Sequence, residues 1–161
     1  MEKSIEILMS HPLEILDLGK NYNNKIAVNK ISFKVNKNEV VGILGPNGCG
    51  KTTTIGMILG LLKPSYGKVL INGNEIEKNR VNLLNQLNFI SPYIELPKKL
   101  TVKQNLEVYA RLYDVKNLNE KIDYLSEKLK LKNMLNKITG ELSSGQKNRI
   151  SLAKSIINDP S

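Results

Sequence analysis

Thiol chemistry is almost missing from this chain of 161 residues: Cys49 is its one cysteine, so no internal disulfide can staple the fold. A reducing, cytoplasmic setting is the expected one. No apolar run approaches the roughly 18 residues that would suggest a membrane-spanning helix, and the composition looks like that of an ordinary soluble globular protein. The opening stretch MEKSIEILMSHPLEIL is broken by Glu2, Glu6, His11 and Glu14 and makes a poor signal peptide. Histidine is scarce too, with His11 alone, ahead of the first expected strand. There is no internal repeat, heptad or low-complexity linker. The length suits one domain, burying about 68–70% of the surface its unfolded form exposes.

Acidic residues are in short supply: 15 Asp and Glu stand against 24 Lys and Arg, for a net charge of +9. Nucleic acid or an anionic membrane surface would be one use for such an excess. Here it consists of lysines scattered singly or in pairs among asparagines, with only Arg80, Arg111 and Arg149 as arginines. That pattern reads as a solvated surface, and no specific nucleic acid partner is expected.

What is present is an alternation of strand and helix signals. Glu14 to Leu18 and Ile31 to Val35 alternate with period two, as half-buried strands do, whereas Val40 to Leu44 is continuously apolar, as a strand covered on both faces would be. From Lys51 the apolar residues Ile55, Ile58, Leu59 and Leu62 have helical spacing, stopped by Lys63-Pro64-Ser65-Tyr66-Gly67. Lys68 to Ile71 reads as a strand closed by an Asn72-Gly73-Asn74 turn, and Leu87 to Ile90 as another short strand. After Pro97 the signals are helical. Thr101 is placed to cap a helix reaching Leu112, with Leu106, Tyr109, Ala110 and Tyr113 on one face. Leu118 to Leu131 carries Ile122, Leu125 and Leu129, and a last helix from Ser144 to Ile157 carries Ile150, Ala153, Ile156 and Ile157.

Between the apolar run and the first helix lies GPNGCGKTTT, Gly45 to Thr54, which fits G-x-x-x-x-G-K-[ST]. Its physical reading is a strand that ends, a loop whose backbone N–H groups wrap phosphate oxygens, and a helix that starts at the phosphate. Gly45 makes the sharp turn; Gly48 and Gly50 let the backbone approach phosphates without a Cβ in the way. Lys51 puts a point charge near the β and γ phosphates, and the Thr52 hydroxyl is the candidate Mg²⁺ ligand. A chance match is expected in about one chain in a hundred or fewer at ordinary glycine frequency.

GPNGCGKTTT resembles the Walker A motif of ATP-binding cassette (ABC) ATPases, and the resemblance extends over most of residues 13 to 161. It implies ATP and Mg²⁺ as ligands, with Gly45, Pro46, Asn47, Gly48, Cys49, Gly50, Lys51, Thr52 and Thr53 as the binding loop. Upstream, Lys20-Asn21-Tyr22 before IAVNKISFKVNKNEVVGILG is similar to the first strands of such cassettes, which makes Tyr22 the expected adenine platform. Downstream, Leu142-Ser143-Ser144-Gly145-Gln146 resembles the family signature, which faces the ATP of a second cassette in a head-to-tail dimer. By its chemistry Ser143 offers a hydroxyl, and the helix start offers unpaired N–H groups to an anion.

The resemblance implies an α/β P-loop fold with an antiparallel β subdomain, a parallel core sheet and an α-helical subdomain, its C-terminal part missing. The expected division is an N-terminal extension, 1–12, followed by an incomplete ABC ATPase domain, 13–161. Within it, 13–90 form the β-rich and P-loop part, 91–143 the Q-loop region and helical subdomain, and 144–161 the signature helix.

Departures from the family pattern are visible. Ser144 stands where a glycine is usual. The loop Ile90-Ser91-Pro92-Tyr93-Ile94-Glu95 has no glutamine: Gln86 comes too early and Gln104 too late, leaving Ser91 or Tyr93 as substitutes. No Walker B aspartate, following glutamate or switch histidine follows SLAKSIINDPS, so a chain that binds ATP without hydrolysing it alone is expected. TTTIGMILGLLKPSYGKVLINGNEI and LTVKQNLEVYARLYDV are most like bacterial export cassettes. The implied role is the cytoplasmic ATP-binding subunit of an exporter beneath a membrane permease. The alternatives are a soluble ABC ATPase acting on the ribosome or nucleic acid, and a non-catalytic nucleotide-binding fragment.

Overall fold

The computed structural model describes residues 11–91 and 95–160. Expectations that fall on residues 1–10 of the N-terminal extension, on Tyr93 and on Ser161 lie outside the described residues. The chain divides into two compact units, one reaching to Leu84 and one beginning at Asn85.

The first unit is built on an antiparallel sheet in the order β2-β1-β3-β4, with β1 Leu13–Tyr22, β2 Lys25–Val35, β3 Tyr66–Ile71 and β4 Asn74–Glu75. Two short turns set its register. Asn23 bends the β1–β2 hairpin at φ 49°, and Asn72 and Gly73 join β3 to β4 at φ 48° and 76°. These are the residue types that accept positive φ in hairpin turns. The period-two strands are where the sequence puts them, with Ile15, Leu18, Val69 and Ile71 fully buried. β1 is bulged at Asp17, whose φ is 45° and whose N–H donates to Ser32 Oγ at 2.8 Å.

Helix α1, Lys51–Ile58, follows the glycine-rich loop. Its buried side is Thr54, Gly56 and Met57, not the Ile55 and Ile58 side that the apolar spacing suggests. The helix ends before Leu62, which turns back over it: a Cβ at Gly56 would meet Leu62 Cδ1 at 2.9 Å. A short helix, α2 Arg80–Leu84, buries Leu83 in a segment whose sequence gave no helical signal.

Two expected strands are corrected. Val40 to Leu44 is neither a strand nor covered: Val40 is 97% and Leu44 93% exposed. Leu87 to Ile90 is likewise irregular. Every strand pair among the described residues is antiparallel, so the expected parallel core sheet is not formed by them. The reason is physical: continuous apolarity shows that a segment gains from burial, but a strand also needs neighbours to take up its N–H and C=O groups. The described residues place no strand beside either segment.

The second unit packs three helices, α3 Val102–Leu112, α4 Leu118–Lys128 and α5 Ser144–Ser155. Leu106, Ala110, Ile122, Leu125, Ile150, Ala153 and Ile157 share one apolar core, as their spacing predicts. Thr101 caps α3 reciprocally with Gln104: Gln104 N–H donates to Thr101 Oγ1 at 3.2 Å and Thr101 N–H to Gln104 Oε1 at 2.9 Å. Gln104, the glutamine that comes too late for the linking loop, is thereby committed to a helix start. Asn105, 1% exposed, donates from Nδ2 to Thr139 Oγ1 at 2.8 Å and to the Pro97 carbonyl at 3.1 Å. It ties the start of α3 to the Thr139–Glu141 turn that leads into α5.

Candidate functional site

The loop from Gly45 to Gly50 closes on itself before α1 begins. Cys49 N–H donates to the Pro46 carbonyl at 3.3 Å, and Thr54 N–H makes the first helical bond, to Gly50 O, at 2.8 Å. The N–H groups of Lys51, Thr52 and Thr53 therefore have no intrahelical acceptor, and α1 has no side-chain cap and no acidic residue in its first turn. Such first-turn N–H groups, at the positive end of a helix, favour a negative charge.

Lys51 reaches back across the loop. Its Nζ donates to the carbonyls of Gly45 at 2.6 Å and Pro46 at 2.8 Å, and lies 3.9 Å from Cys49 Sγ. The ammonium is thus held on the loop's own carbonyls, weaker partners for it than the charged oxygens of an anion would be. Two glycines are geometrically required. At Gly45, φ 152°, a Cβ would press to 2.6 Å from Cys49 Sγ; at Gly50, φ 96°, it would lie 2.4 Å from the Ala27 carbonyl oxygen. Gly50 is therefore demanded by β2 packing against the loop as much as by phosphate approach. Gly48, φ 83°, faces open space.

β2 and the loop enclose an open cavity of about 480 Å³ whose walls include Val28, Asn29, Ile43, Gly48, Gly50, Lys51 and Thr54. Among the described residues that line it there is no carboxylate. Pro46, Asn47, Thr52 and Cys49 are exposed, Thr53 is half-buried and Thr54 is buried. Thr52 presents an exposed hydroxyl at the second position of α1, suited to one ligand position of a hard cation. Among the described residues no cluster of three His, Cys, Asp or Glu is placed to hold a metal. A Mg²⁺ bound here would take most of its oxygens from phosphate and water, as that ion commonly does.

Tyr22 ends β1 46% exposed, with the Lys20 ammonium 5.3 Å from its ring centroid. It does not line the loop cavity. Asn29, Val28 and Ala27 do, and no motif in the sequence singles them out; the signal available was only their place on the strand after Tyr22.

In the second unit, Ser143 caps α5 as Thr101 caps α3. Gln146 N–H donates to Ser143 Oγ at 3.3 Å and Ser143 N–H to Gln146 Oε1 at 2.9 Å. Ser144 and Gly145 stand exposed at the helix start, where a side chain at Gly145 would meet nothing. Buried Leu142 anchors this start to the core. Beside it is a cavity of about 390 Å³ whose walls include Ser91, Glu95, Lys98, Ser144 and Lys147. Glu95 is ion-paired with Lys98 at 2.6 Å, and hydrogen bonding from that ammonium holds its carboxyl below the usual carboxylate range. Asp159, past the end of α5, is paired with Lys121.

Comparison with known proteins gives a consistent set of similarities. Residues 28–161 match the ABC transporter family. Over 92% of its length the chain is 34% identical to the Nod factor export ATP-binding protein I of Burkholderia orbicola. Over the same share it is 35% identical to the probable multidrug ABC transporter ATP-binding protein YbhF of Escherichia coli. It spans about half the length of the first of these relatives (50%) and about a quarter of the second (26%). Among solved structures, cbiO1 from Clostridium perfringens, part of the ABC transporter complex cbiONQ, superposes with a TM-score of 0.83 at 27% identity, covering 94% of this chain and 63% of that one. A putative ABC transporter ATP-binding protein from Pyrococcus furiosus superposes with a TM-score of 0.75 at 35% identity, covering 90% of this chain and 70% of that one.

Proposed function

The chain belongs to the ABC transporter family, and on that premise we propose that it is the ATP-binding part of an exporter, holding ATP·Mg²⁺ at the cytoplasmic face of a membrane permease. Gly45 to Thr53 hold the phosphates and Thr52 supplies one oxygen to the metal. Tyr22 stacks on adenine, and Ser143 to Gln146 face the ATP of a second, head-to-tail cassette. Bound Mg²⁺ would neutralise phosphate charge; the chain itself binds and orients. One observation carries the reading: the Lys51 ammonium is folded back onto the Gly45 and Pro46 carbonyls of the loop that leads into α1, a helix with no side-chain cap and no acidic residue in its first turn. The likeness to export ATP-binding proteins supports export as the process.

We infer further that the 161-residue polypeptide binds ATP without turning it over. Among the described residues no carboxylate lines the loop cavity to polarise a water, and Asp159 is paired with Lys121. No helix among the described residues is long and apolar enough to cross a membrane, consistent with a separate permease.

The test is a thermal shift with ATP·Mg²⁺. A ligand that prefers the folded state raises the melting temperature by mass action, and Lys51→Ala should erase most of that rise. Equal shifts for the two proteins would end the assignment of the loop. Phosphate release from the same preparation should stay at the level of the Lys51→Ala control.

A further inference from the structure

We propose that Asn29 is a nucleoside-contacting residue of the loop cavity, oriented for that role by Tyr66, an inference that rests on the loop's binding of nucleoside triphosphate.

Three contacts lead from the sheet to the cavity. Gly19 of β1 and Tyr66 of β3 are directly opposed. The tyrosine ring lies where a Cβ on Gly19 would be, 2.0 Å from its Cζ. An aromatic ring covering a cross-strand glycine is a recurrent way of restoring a packed sheet surface. The ring carries its hydroxyl across β1 to β2, where it donates to Asn29 Oδ1 at 3.1 Å, with the Val28 carbonyl a longer 3.4 Å away. Val28 and Asn29 line the same cavity as Gly48, Gly50 and Lys51.

The consequence follows from the amide group. Its oxygen and nitrogen diverge from one carbon, so an oxygen committed to Tyr66 turns the NH₂ group away from it, as a pair of donors. The phosphates belong to the end of the cavity formed by the loop and the start of α1. The β2 wall is left for the nucleoside, whose ribose hydroxyls and ring nitrogens are acceptors. Tyr66 thus acts as a positioning residue and Asn29 as a contact residue, for ligands that carry a sugar and a base.

The experiment separates the two ends of the ligand. Calorimetric titrations of the full chain with ATP and with inorganic tripolyphosphate, both at fixed Mg²⁺, are compared for wild type, Asn29→Ala, Tyr66→Phe and Lys51→Ala. Asn29→Ala should weaken ATP about three- to tenfold, the scale of one hydrogen bond, and leave tripolyphosphate unchanged. Tyr66→Phe keeps the ring over Gly19 and should weaken ATP by a smaller factor, about two- to threefold, with little change in melting temperature. ATP affinity unchanged in Asn29→Ala, or a loss shared equally by tripolyphosphate, overturns the proposal. Loss of neither ligand in Lys51→Ala would instead overturn the phosphate-loop reading beneath it.

Discussion

The carbonyl oxygen of Ala27 occupies the space that a side chain at Gly50 would need: a Cβ there would fall 2.4 Å from it. The strand and the loop are therefore in close contact at a point that leaves no room for a side chain. Gly50→Ala adds this clash to the roughly 1–2 kcal/mol cost of a Cβ at positive φ. It should weaken ATP binding by at least about tenfold and lower the melting temperature. Gly48→Ala, also at positive φ but meeting no protein atom, should cost only the backbone part in melting temperature without nucleotide. Equal losses of melting temperature for the two would show that the Ala27 contact is immaterial.

Ser143→Ala removes the cap of α5 and leaves Gln146 N–H without its side-chain acceptor. The expected loss is about 1 kcal/mol in urea unfolding, against a few tenths for Ser143→Gly. Because the signature segment is assigned to a partner's nucleotide, ATP affinity of the chain's own loop should not change. A parallel loss of ATP affinity would contradict that assignment.

Asn105→Ala takes the amide donor from Thr139 and from the Pro97 carbonyl inside the second unit. Loss of the bond to buried Thr139 costs about 1–3 kcal/mol, offset in part because the amide's own buried, unpartnered Oδ1 goes with it, and the denaturation midpoint should fall beyond what an exposed substitution such as Lys116→Ala produces. A fall no larger than that control would mean that water replaces the amide without loss.

Glu75 accepts a hydrogen bond from the Lys78 ammonium at 2.8 Å, and that bond, aided by the charges of Lys78 and Lys68, lowers its carboxyl from the usual 4.5. A carboxylate depressed in the folded state stabilises it above the unfolded value and loses that contribution as pH falls through the folded one. Glu75→Gln should therefore lower stability slightly at neutral pH and converge with wild type as pH falls below about 4.5, so that its acid limb is flatter, with the difference shrinking in high salt. Identical acid limbs in thermal melts would remove the pair from the account.

The loop, the two capped helices and the helical core were legible because each is local or periodic: G-x-x-x-x-G-K-T, Thr101 with Gln104, Ser143 with Gln146, and apolar residues at helical spacing. Val40 to Leu44 was misread because apolarity records a preference for burial, whereas a ladder depends on what lies alongside. Helix α2 was invisible because its one buried anchor, Leu83, makes no period. Asn29 escaped because its place in the cavity wall comes from a bond to Tyr66, 37 residues away, which no local pattern announces.

The run from Val40 to Leu44 leads straight into the phosphate loop, exposed and without a strand partner among the described residues. A binder that covered it would act on a segment covalently continuous with Gly45. By reciprocity, an association there that strengthens ATP binding by some factor must itself be strengthened by ATP by the same factor. The segment is then a thermodynamic handle on the nucleotide, and titrating ATP affinity against any binder of those five residues reads the coupling from either end.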